Sequence, residues 1–555
     1  MTTLRYIPGP EADTPDTPPA PADFAAVGVP DVDLCPGDHE SALAGYDPAG
    51  AAGSITRGDA THRYYSLRLV TGMTGGTLFW TTGQETCGAA ATGAAGSGQV
   101  TGYDGRRSGG RVSRRAATLA AGGVAATGAR ASVSHAAAKF PPFALFAQSD
   151  LNFETLFALG SAGYGSSEVG EIVTTVNDIN ARGASYQAYY DCFRAMAERI
   201  ASLADDELAA GHKISARSAY LRAATYYDLC LFFVLGTRAR AHEAAVYAAM
   251  QRSWNSATQF FDPPFEFVQI PYGNTWLPGC FLRPDSSGIA RPTVILNNGS
   301  DAQNVDLYAF GGAAALARGY NALIFEGPGQ GSVLFEREIF FRPNWEHVVT
   351  PIVDWLLAQP EVDPDRIAIT GWSMCGESVI RAAAVGHRLA AVVADPGVRD
   401  AWLAFPSFLQ KLFDGGASKA EVNHIWNKEI VPVLNAEERF TFAKRSELFG
   451  WQYLTAGRAG QVFTDLYDLG KTIMQVNCTS TAPEVTSATL VLYYVDDQFY
   501  PGQTQAREVY DLLPADIPKQ FHTFTVAEGA EYHDAPMAPQ TRNQVVFDWL
   551  DDTLA

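Results

Sequence analysis

The sequence predicts an α/β fold in which a mostly parallel sheet of about eight strands is covered by helices on both faces. From residue 264 to the C-terminus, short apolar runs alternate with helical stretches, and such runs are typical of strands buried on both faces. Upstream, residues 140–262 carry apolar residues at three- and four-residue spacing, which predicts a helical domain. A region rich in Pro, Gly and Ala precedes both.

Each strand of this sheet is predicted from a run of its own. The runs FEFVQIPY and TWLPGCFLRP alternate, which predicts an antiparallel pair at the start of the α/β domain. The later runs are TVILNN, NALIFEG, RIAITG, AAVVADPG, ATLVLYYVD and QFHTFTV. A mostly helical stretch separates the fourth of these from the fifth, and a connection that long is uncommon unless it serves a function. We therefore expect a helical lid insertion at about 397–486.

The changes in composition predict three regions. Residues 1–138 have the composition of a low-complexity region, and we expect them to be mostly disordered. Within them, the stretch YYSLRLVTGMTGGTLFW has room for one or two strands. We expect residues 139–262 to form a helical cap domain and residues 263–555 to form the α/β domain that contains the lid.

A segment inside the first region resembles an export signal. Arg114 and Arg115 precede a mildly apolar stretch that ends in small residues, which is the order of a twin-arginine signal at 112–138. A signal must lie at the N-terminus, so this interpretation requires a true start near Val112. The alternative is a low-complexity linker. The location is therefore left open: cytoplasmic by default, and exported if translation starts near Val112.

The net charge of −20 over 555 residues argues against partners that need positive surface. Nucleic acids and anionic membranes both bind such surface, so we expect neither. Outside the Ala/Gly-rich stretch near residue 120, no run of about 18 uncharged apolar residues predicts a membrane span. The seven cysteines are scattered without a CxxC pair, which predicts neither a disulfide framework nor a zinc or redox site. We expect a small-molecule substrate, no cofactor and no metal, and we leave a homodimer open.

One short motif carries the candidate chemistry. The sequence ITGWSMCGES places Ser373 after the strand run RIAIT and before a helical stretch, which is the context of a nucleophile elbow. The elbow pattern is Gly-x-Ser-x-Gly, and here Cys375 stands in place of the last glycine. Cysteine is small, and Gly376 supplies a further small position, so we identify Ser373 as the candidate nucleophile. Cys375 would lie inside the first turn of the helix, where it is poorly placed to react.

An acid and a histidine that could activate Ser373 follow it in the chain. A serine hydroxyl needs a base, and the base needs an orienting carboxylate; with this elbow the chain order is serine, acid, histidine. The run ATLVLYYVD is followed by a second aspartate, and we select Asp497 rather than Asp496 as the acid. Of the two later histidines, His522 lies within a predicted strand and His533 lies in the polar loop after it. His533 is therefore the candidate base.

Attack by a serine on a carbonyl produces an oxyanion, which needs N–H donors held in place. We expect one donor from Met374, directly after the serine. The other is expected from the loop that begins at Gly299 and continues with Ser300 and Asp301, because glycine lets the backbone approach closely. The glycine-rich stretch FEGPGQGSVL, at 325–334, lacks the Lys-Ser/Thr of a phosphate-binding loop, so we interpret it as a turn beside the pocket.

Several motifs occur together in one order. They are LNFETLFALGSAGYGSSEVGE, GHKISARSAYLRAATYY, NNGSDA, FEGPGQGSVL, FRPNWEHVVTPIVDWL, GWSMCGES, VDDQFYPGQ and EGAEYH. From about residue 140 to the C-terminus, the chain resembles the α/β-hydrolase group that contains dihydroxypseudooxynicotine hydrolase, the FrsA-like esterases and fungal pigment- and polyketide-pathway hydrolases. The resemblance implies an α/β-hydrolase fold with a helical cap over the site. It assigns Ser373, Asp497 and His533 to the triad positions, and Cys375 departs from the glycine usual in that group.

The resemblance implies a serine hydrolase that cleaves an ester or a carbon–carbon bond beside a carbonyl, without a cofactor. The sequence does not separate these two reactions. Aromatic residues in 401–455 indicate a substrate with substantial apolar or aromatic surface. The alternatives are acyl transfer or peptidase activity on the same triad, and a binding protein on a hydrolase fold without chemistry. No propeller-like repeats are seen in the N-terminal part, which argues against the peptidase.

Overall fold

The computed structural model describes residues 144–555 and five strands within residues 1–83. The chain divides into two compact units, residues 1–139 and 140–555. The strands of the first unit are β1 Thr2–Ile7, β2 Val32–Asp33, β3 Ala51–Thr56, β4 His62–Leu69 and β5 Thr77–Gly83. They form an antiparallel sheet in the order β2-β1-β5-β4-β3.

This small sheet lies within the region 1–138, for which the composition predicts mostly disorder. Strands β4 and β5 overlap the stretch YYSLRLVTGMTGGTLFW, and their register pairs Tyr65 with Trp80 and Leu67 with Leu78. Aromatic and β-branched residues favour strands, and they recur in these short segments although the region as a whole is rich in Gly and Pro. The export-signal-like segment 112–138 lies outside the described residues.

The second unit begins with five helices, in the segment for which the sequence predicts a cap. They are α1 Ser149–Ser161, α2 Val169–Ala181, α3 Tyr186–Ala209, α4 Lys213–Phe233 and α5 Glu243–Thr258. Helix α4 packs along both α3 and α5, and its buried residues are mostly Ala, Leu, Tyr and Phe. The Ser185 side chain caps α3 by accepting a hydrogen bond from the N–H of Ala188 at 3.2 Å.

An eight-stranded sheet follows and confirms the predicted α/β fold. Its strands are β6 Glu266–Tyr272, β7 Thr275–Leu282, β8 Arg291–Asn297, β9 Asn321–Phe325, β10 Val362–Trp372, β11 Ala391–Asp395, β12 Ala488–Tyr494 and β13 Lys519–Phe524. The order is β13-β12-β11-β10-β8-β9-β7-β6, with β7 antiparallel to both its neighbours and all other pairs parallel. Every residue of β9, β11 and β12 is buried, as expected for strands covered on both faces.

Helices connect the strands of this sheet. They are α6 Asn304–Leu307, α7 Ala313–Ala317, α8 Gly331–Phe335, α9 Glu346–Leu357, α10 Cys375–Gly386, α11 Ser407–Asp414, α12 Lys419–Ile425, α13 Ala436–Ser446, α14 Trp451–Arg458, α15 Leu466–Ile473, α16 Thr504–Leu512 and α17 Pro539–Thr553. Helices α11 to α15 lie between β11 and β12, where the sequence predicts the lid. Among the described helices, none has the length and apolarity that a membrane span requires.

Candidate active site

Ser373 lies on the sharp turn between β10 and α10, and its backbone φ is +52°. A positive φ is uncommon for a residue with a side chain and marks a strained position. The N–H of Ser373 donates to the carbonyl oxygen of Asp395, at the end of β11, at 2.7 Å. A Cβ on Gly376 would collide with the carbonyl oxygen of Pro396, so the turn needs glycine there. The local geometry is therefore the strand–turn–helix arrangement that the elbow motif requires.

Cys375, in place of the expected glycine, is fully buried at the start of α10. Burial is the largest influence on its thiol and raises the pKa to about 12. The thiolate is the nucleophilic form of cysteine, so this thiol is unreactive near neutral pH. Cys375 therefore fills a core position beside the turn.

The three side chains that the sequence predicts as a triad lie in contact. The Oγ of Ser373 is 2.9 Å from Nε2 of His533, and Nδ1 of the same ring is 2.8 Å from Oδ2 of Asp497. The other carboxylate oxygen of Asp497 accepts hydrogen bonds from the N–H groups of Phe499 and Tyr500, both at 2.8 Å. His533 and Asp497 are only 3% and 4% exposed, so water competes little for these contacts.

The neighbouring candidates lie elsewhere. Asp496 is exposed, and His522 is half-buried within β13. Asp395, an acid at the end of β11, is held by other partners: its Oδ2 accepts from Nε of Arg542 at 2.7 Å, and its Oδ1 accepts from the hydroxyl of Tyr494 at 2.5 Å. The acid in contact with the His533 ring on its Nδ1 side is therefore the one that follows β12.

Asp534 brings a second carboxylate to the same histidine, and no sequence motif predicts it. Its Oδ2 lies 3.4 Å from Nε2 of His533, and its buried Oδ1 has no hydrogen-bond partner in the described part of the chain. Burial raises the pKa of Asp534 to about 7. Burial alone would lower the pKa of His533, but the carboxylates of Asp497 and Asp534 outweigh that effect and raise it to about 9. The only available signal was that Asp534 directly follows the histidine.

The predicted oxyanion donors lie around Ser373. A Cβ on Gly299 would lie 2.8 Å from the Cβ of Ser373, which shows how closely the two backbones approach. Within residues 144–555, the N–H groups of Gly299, Ser300 and Met374 donate no hydrogen bond. Met374 precedes α10, and the N-terminus of a helix favours an anion. These N–H groups are thus free to bind an oxyanion, and their role as oxyanion donors remains a prediction.

Gln330, in the glycine-rich stretch 325–334, holds this loop in place. Its Nε2 donates to the carbonyl oxygens of Asn298 and Gly299, at 2.8 and 2.9 Å. Its Oε1 accepts from the N–H of Gly327 at 2.9 Å. The side chain is 2% exposed, so these bonds are protected from water. The turn after β9 therefore supports the loop after β8, as expected for a turn beside the pocket.

A cavity adjoins Ser373 and His533, and its empty volume, including the open solvent at its mouth, is about 850 Å³. Its aromatic walls come from Phe153, Phe157, Phe232, Phe310, Trp372 and Phe499. In the sequence, the aromatic residues of 401–455 indicate a substrate with apolar or aromatic surface, yet of that segment only Arg445 is among the described residues that line the cavity. The lid aromatics pack on one another instead, as Trp402 stacks on Phe405 at 5.0 Å between ring centres. An insertion of this size needs a core of its own.

Arg445 of α13 is the lid residue at the cavity, and no sequence motif marked it. Its guanidinium forms an ion pair with Asp301, in the loop after β8, and lies 4.7 Å from the ring centre of Phe499. The lid is therefore tied to the loop that carries the predicted oxyanion donors. In the part of the chain that the structure describes, no group of three or more His, Cys, Asp or Glu side chains is placed to hold a metal ion.

Several curated proteins are similar to this chain, although no protein-family model matches it. The hydrolase acrC of Aspergillus aculeatus is 28% identical over 443 residues, which cover 74% of this chain and 98% of the relative. The 20-hydroxy-prefusarin hydrolase of Gibberella moniliformis is 28% identical over 430 residues, with 74% and 98% covered. The alpha/beta hydrolase gkaG of Penicillium citrinum is 32% identical over 281 residues, which cover 48% of this chain and 64% of the relative.

Among solved structures, 2,6-dihydroxy-pseudo-oxynicotine hydrolase is similar to this chain, with a TM-score of 0.52 and 19% identity. The match covers 71% of this chain and 95% of that protein. At this identity the likeness concerns the fold alone.

Proposed function

We propose that the chain is a hydrolase of the α/β-hydrolase superfamily and that Ser373, His533 and Asp497 are its catalytic triad. The observation that carries the proposal is the unbroken contact from hydroxyl to imidazole to carboxylate, at 2.9 and 2.8 Å. The positive φ of Ser373 supports it, because a nucleophile elbow exposes its serine on a strained turn.

The proposed reaction begins with attack of the Ser373 Oγ on a substrate carbonyl. Nε2 of His533 takes the serine proton, and Asp497 orients the ring and stabilises the imidazolium. The N–H groups of Met374 and of the loop at Gly299 bind the oxyanion. The imidazolium then protonates the leaving group, and water releases the acyl group by the same steps.

We propose as substrate a small, partly apolar or aromatic molecule that contains an ester or a carbon–carbon bond beside a carbonyl. The aromatic walls of the cavity support an apolar substrate. The cap helices α1 and α4 contribute to those walls, which favours a small molecule over the extended peptide of a peptidase. Cleavage of either bond would begin at the same polarised carbonyl.

Labelling with a fluorophosphonate probe tests the triad. We expect the intact protein to be labelled once, and Ser373→Ala to abolish both labelling and hydrolysis. Ser202→Ala, on the exposed face of α3, is the matched control and should behave as the wild type. A wild-type protein that hydrolyses an ester without being labelled, or a labelled Ser373→Ala variant, would contradict the proposal. Rates on aryl esters and on β-diketones then distinguish ester from carbon–carbon cleavage.

A further inference from the structure

The cavity contains a second group of polar side chains that the proposed reaction does not use. Thr225 and Asp228 lie three residues apart on α4, and Glu154 comes from α1. Residues at that spacing share one face of a helix. Arg445, from the lid, completes the group. All four line the same cavity as Ser373, on walls that the cap and the lid contribute.

Thr225 gives the clearest sign that this group binds a ligand. It is 2% exposed, and its hydroxyl has no hydrogen-bond partner among the described residues. A helical threonine ordinarily donates to the carbonyl four residues earlier, as Thr155 does to Leu151 at 2.7 Å. A buried hydroxyl without a partner is costly, so in a native structure it needs an explanation. At a cavity wall, a polar group of a bound substrate would be the missing hydrogen-bond partner.

The carboxyl groups of Glu154 and Asp228 are partly buried where they line the cavity. Burial raises the pKa of Glu154 to about 8, even though the positive charges of Arg445 and Lys444 act against it. Burial also raises the pKa of Asp228 well above its ordinary value, and the nearby Asp306 adds to the effect. The raised pKa of each carboxyl favours its protonated form, which can donate an O–H.

Arg445 adds N–H donors without adding a free positive charge. Its guanidinium is ion-paired with Asp301 and lies against the rings of Phe499 and Phe232, at 4.7 and 5.7 Å from their centres. A paired cation beside neutral acids does not favour an anionic ligand. The O–H and N–H donors of these four side chains match the lone pairs of an uncharged oxygen.

We propose that Thr225, Asp228, Glu154 and Arg445 form a subsite for a second, uncharged oxygen of the substrate, a ketone or hydroxyl remote from the scissile carbonyl. The aromatic walls contact the apolar part between the two oxygens. This inference rests on the proposed hydrolase function and narrows its substrates to molecules with two separated oxygen functions. Such a subsite contributes to specificity because an analogue without the oxygen leaves buried donors unpaired.

A series of para-nitrophenyl esters tests the subsite. The parent is para-nitrophenyl heptanoate, and its derivatives carry a ketone at successive carbons of the chain. We expect one ketone position to raise kcat/KM above that of the parent. The quantity compared is the ratio of kcat/KM for that ketone ester to kcat/KM for the parent. Thr225→Val should lower this ratio about three- to tenfold, the effect of one neutral hydrogen bond. Glu154→Leu should lower it likewise, whereas Glu154→Gln, which keeps an N–H donor, should restore most of it.

The matched control is Asp206→Asn, which removes an exposed carboxylate from α3 and should leave both rates and their ratio at wild-type values. A ratio that no ketone position raises, or that neither Thr225→Val nor Glu154→Leu lowers, would overturn the subsite. A preference for an ester with a terminal ammonium would also overturn it, in favour of a cation subsite. Fluorophosphonate labelling is measured on the same protein. If the protein is labelled but no ketone position raises the kcat/KM ratio, the subsite alone is refuted. If the protein is not labelled, the triad is refuted.

Discussion

His533 lies between two carboxylates, and its charge sets the pH at which the proposed triad works. A general base must be neutral, so a pKa raised to about 9 predicts that kcat/KM increases as the pH rises toward that value. Asp497 and Asp534 raise this pKa, and Arg445 lowers it. Asp534→Asn removes one negative charge, so we expect the rising limb of the pH profile to move to lower pH.

The measurement is kcat/KM for para-nitrophenyl acetate across the alkaline range. Asp496→Asn, which removes the exposed carboxylate next to Asp497, is the control and should leave the limb in place. A limb that does not move in Asp534→Asn would show that this carboxylate does not act on the imidazole. A limb that moves to higher pH would contradict the sign of the interaction.

Cys375 is predicted to be dispensable for the chemistry. The thiol is buried and its pKa is raised to about 12, so iodoacetamide should not inactivate the native enzyme. Cys375→Ala should keep hydrolysis within about threefold of wild type and lower the melting temperature, because removal of a buried side-chain atom leaves a small cavity. Rapid inactivation of wild type, with resistance in Cys375→Ala, would show that the thiol takes part.

At the scale of elements, Gln330 couples the turn after β9 to the loop after β8. Gln330→Leu removes the donor to the carbonyl oxygens of Asn298 and Gly299, so the loop's N–H groups lose their fixed direction. Transition-state stabilisation by such donors depends on preorganisation, so we expect kcat to fall about tenfold or more with a smaller change in KM. Gln359→Leu, just beyond the end of α9, is the control and should leave kcat unchanged. An unchanged kcat in Gln330→Leu would contradict the coupling.

The elements of the α/β domain could be predicted because burial on both faces leaves a continuous apolar run for each strand. Ser373 and Asp497 could be selected because each directly follows such a run, and His533 because it lies in the polar loop after the last one. The order of the strands could not be predicted, because it depends on pairing between distant segments, such as β8 with β10. Thr225 lies within the motif GHKISARSAYLRAATYY, but nothing in that motif marks it as a cavity residue, and Asp534 lies in no motif. The surroundings of both exist only in the folded chain.

At the scale of the whole molecule, composition describes the first unit only as an average. Averaged over residues 1–138, Pro, Gly and Ala outweigh the aromatic and β-branched residues, which predicts disorder. The strands depend on short local segments such as HRYYSLRL and TLFWTTG, which an average conceals. The same limitation applies to the lid, since composition does not indicate whether an aromatic ring faces a cavity or its own segment.

The second unit contains every residue of the proposed site and has its own core, so it should work alone. We expect a chain that starts at Phe140 to match the full-length protein in fluorophosphonate labelling and in kcat/KM for para-nitrophenyl acetate. A chain that starts at Val169 is the contrasting variant, because it lacks α1 and with it the cavity residues Phe153 and Glu154. It should lose activity even where circular dichroism shows that the sheet persists. Loss of activity in the chain from Phe140, with its fold intact, would show that residues 1–139 contribute to catalysis.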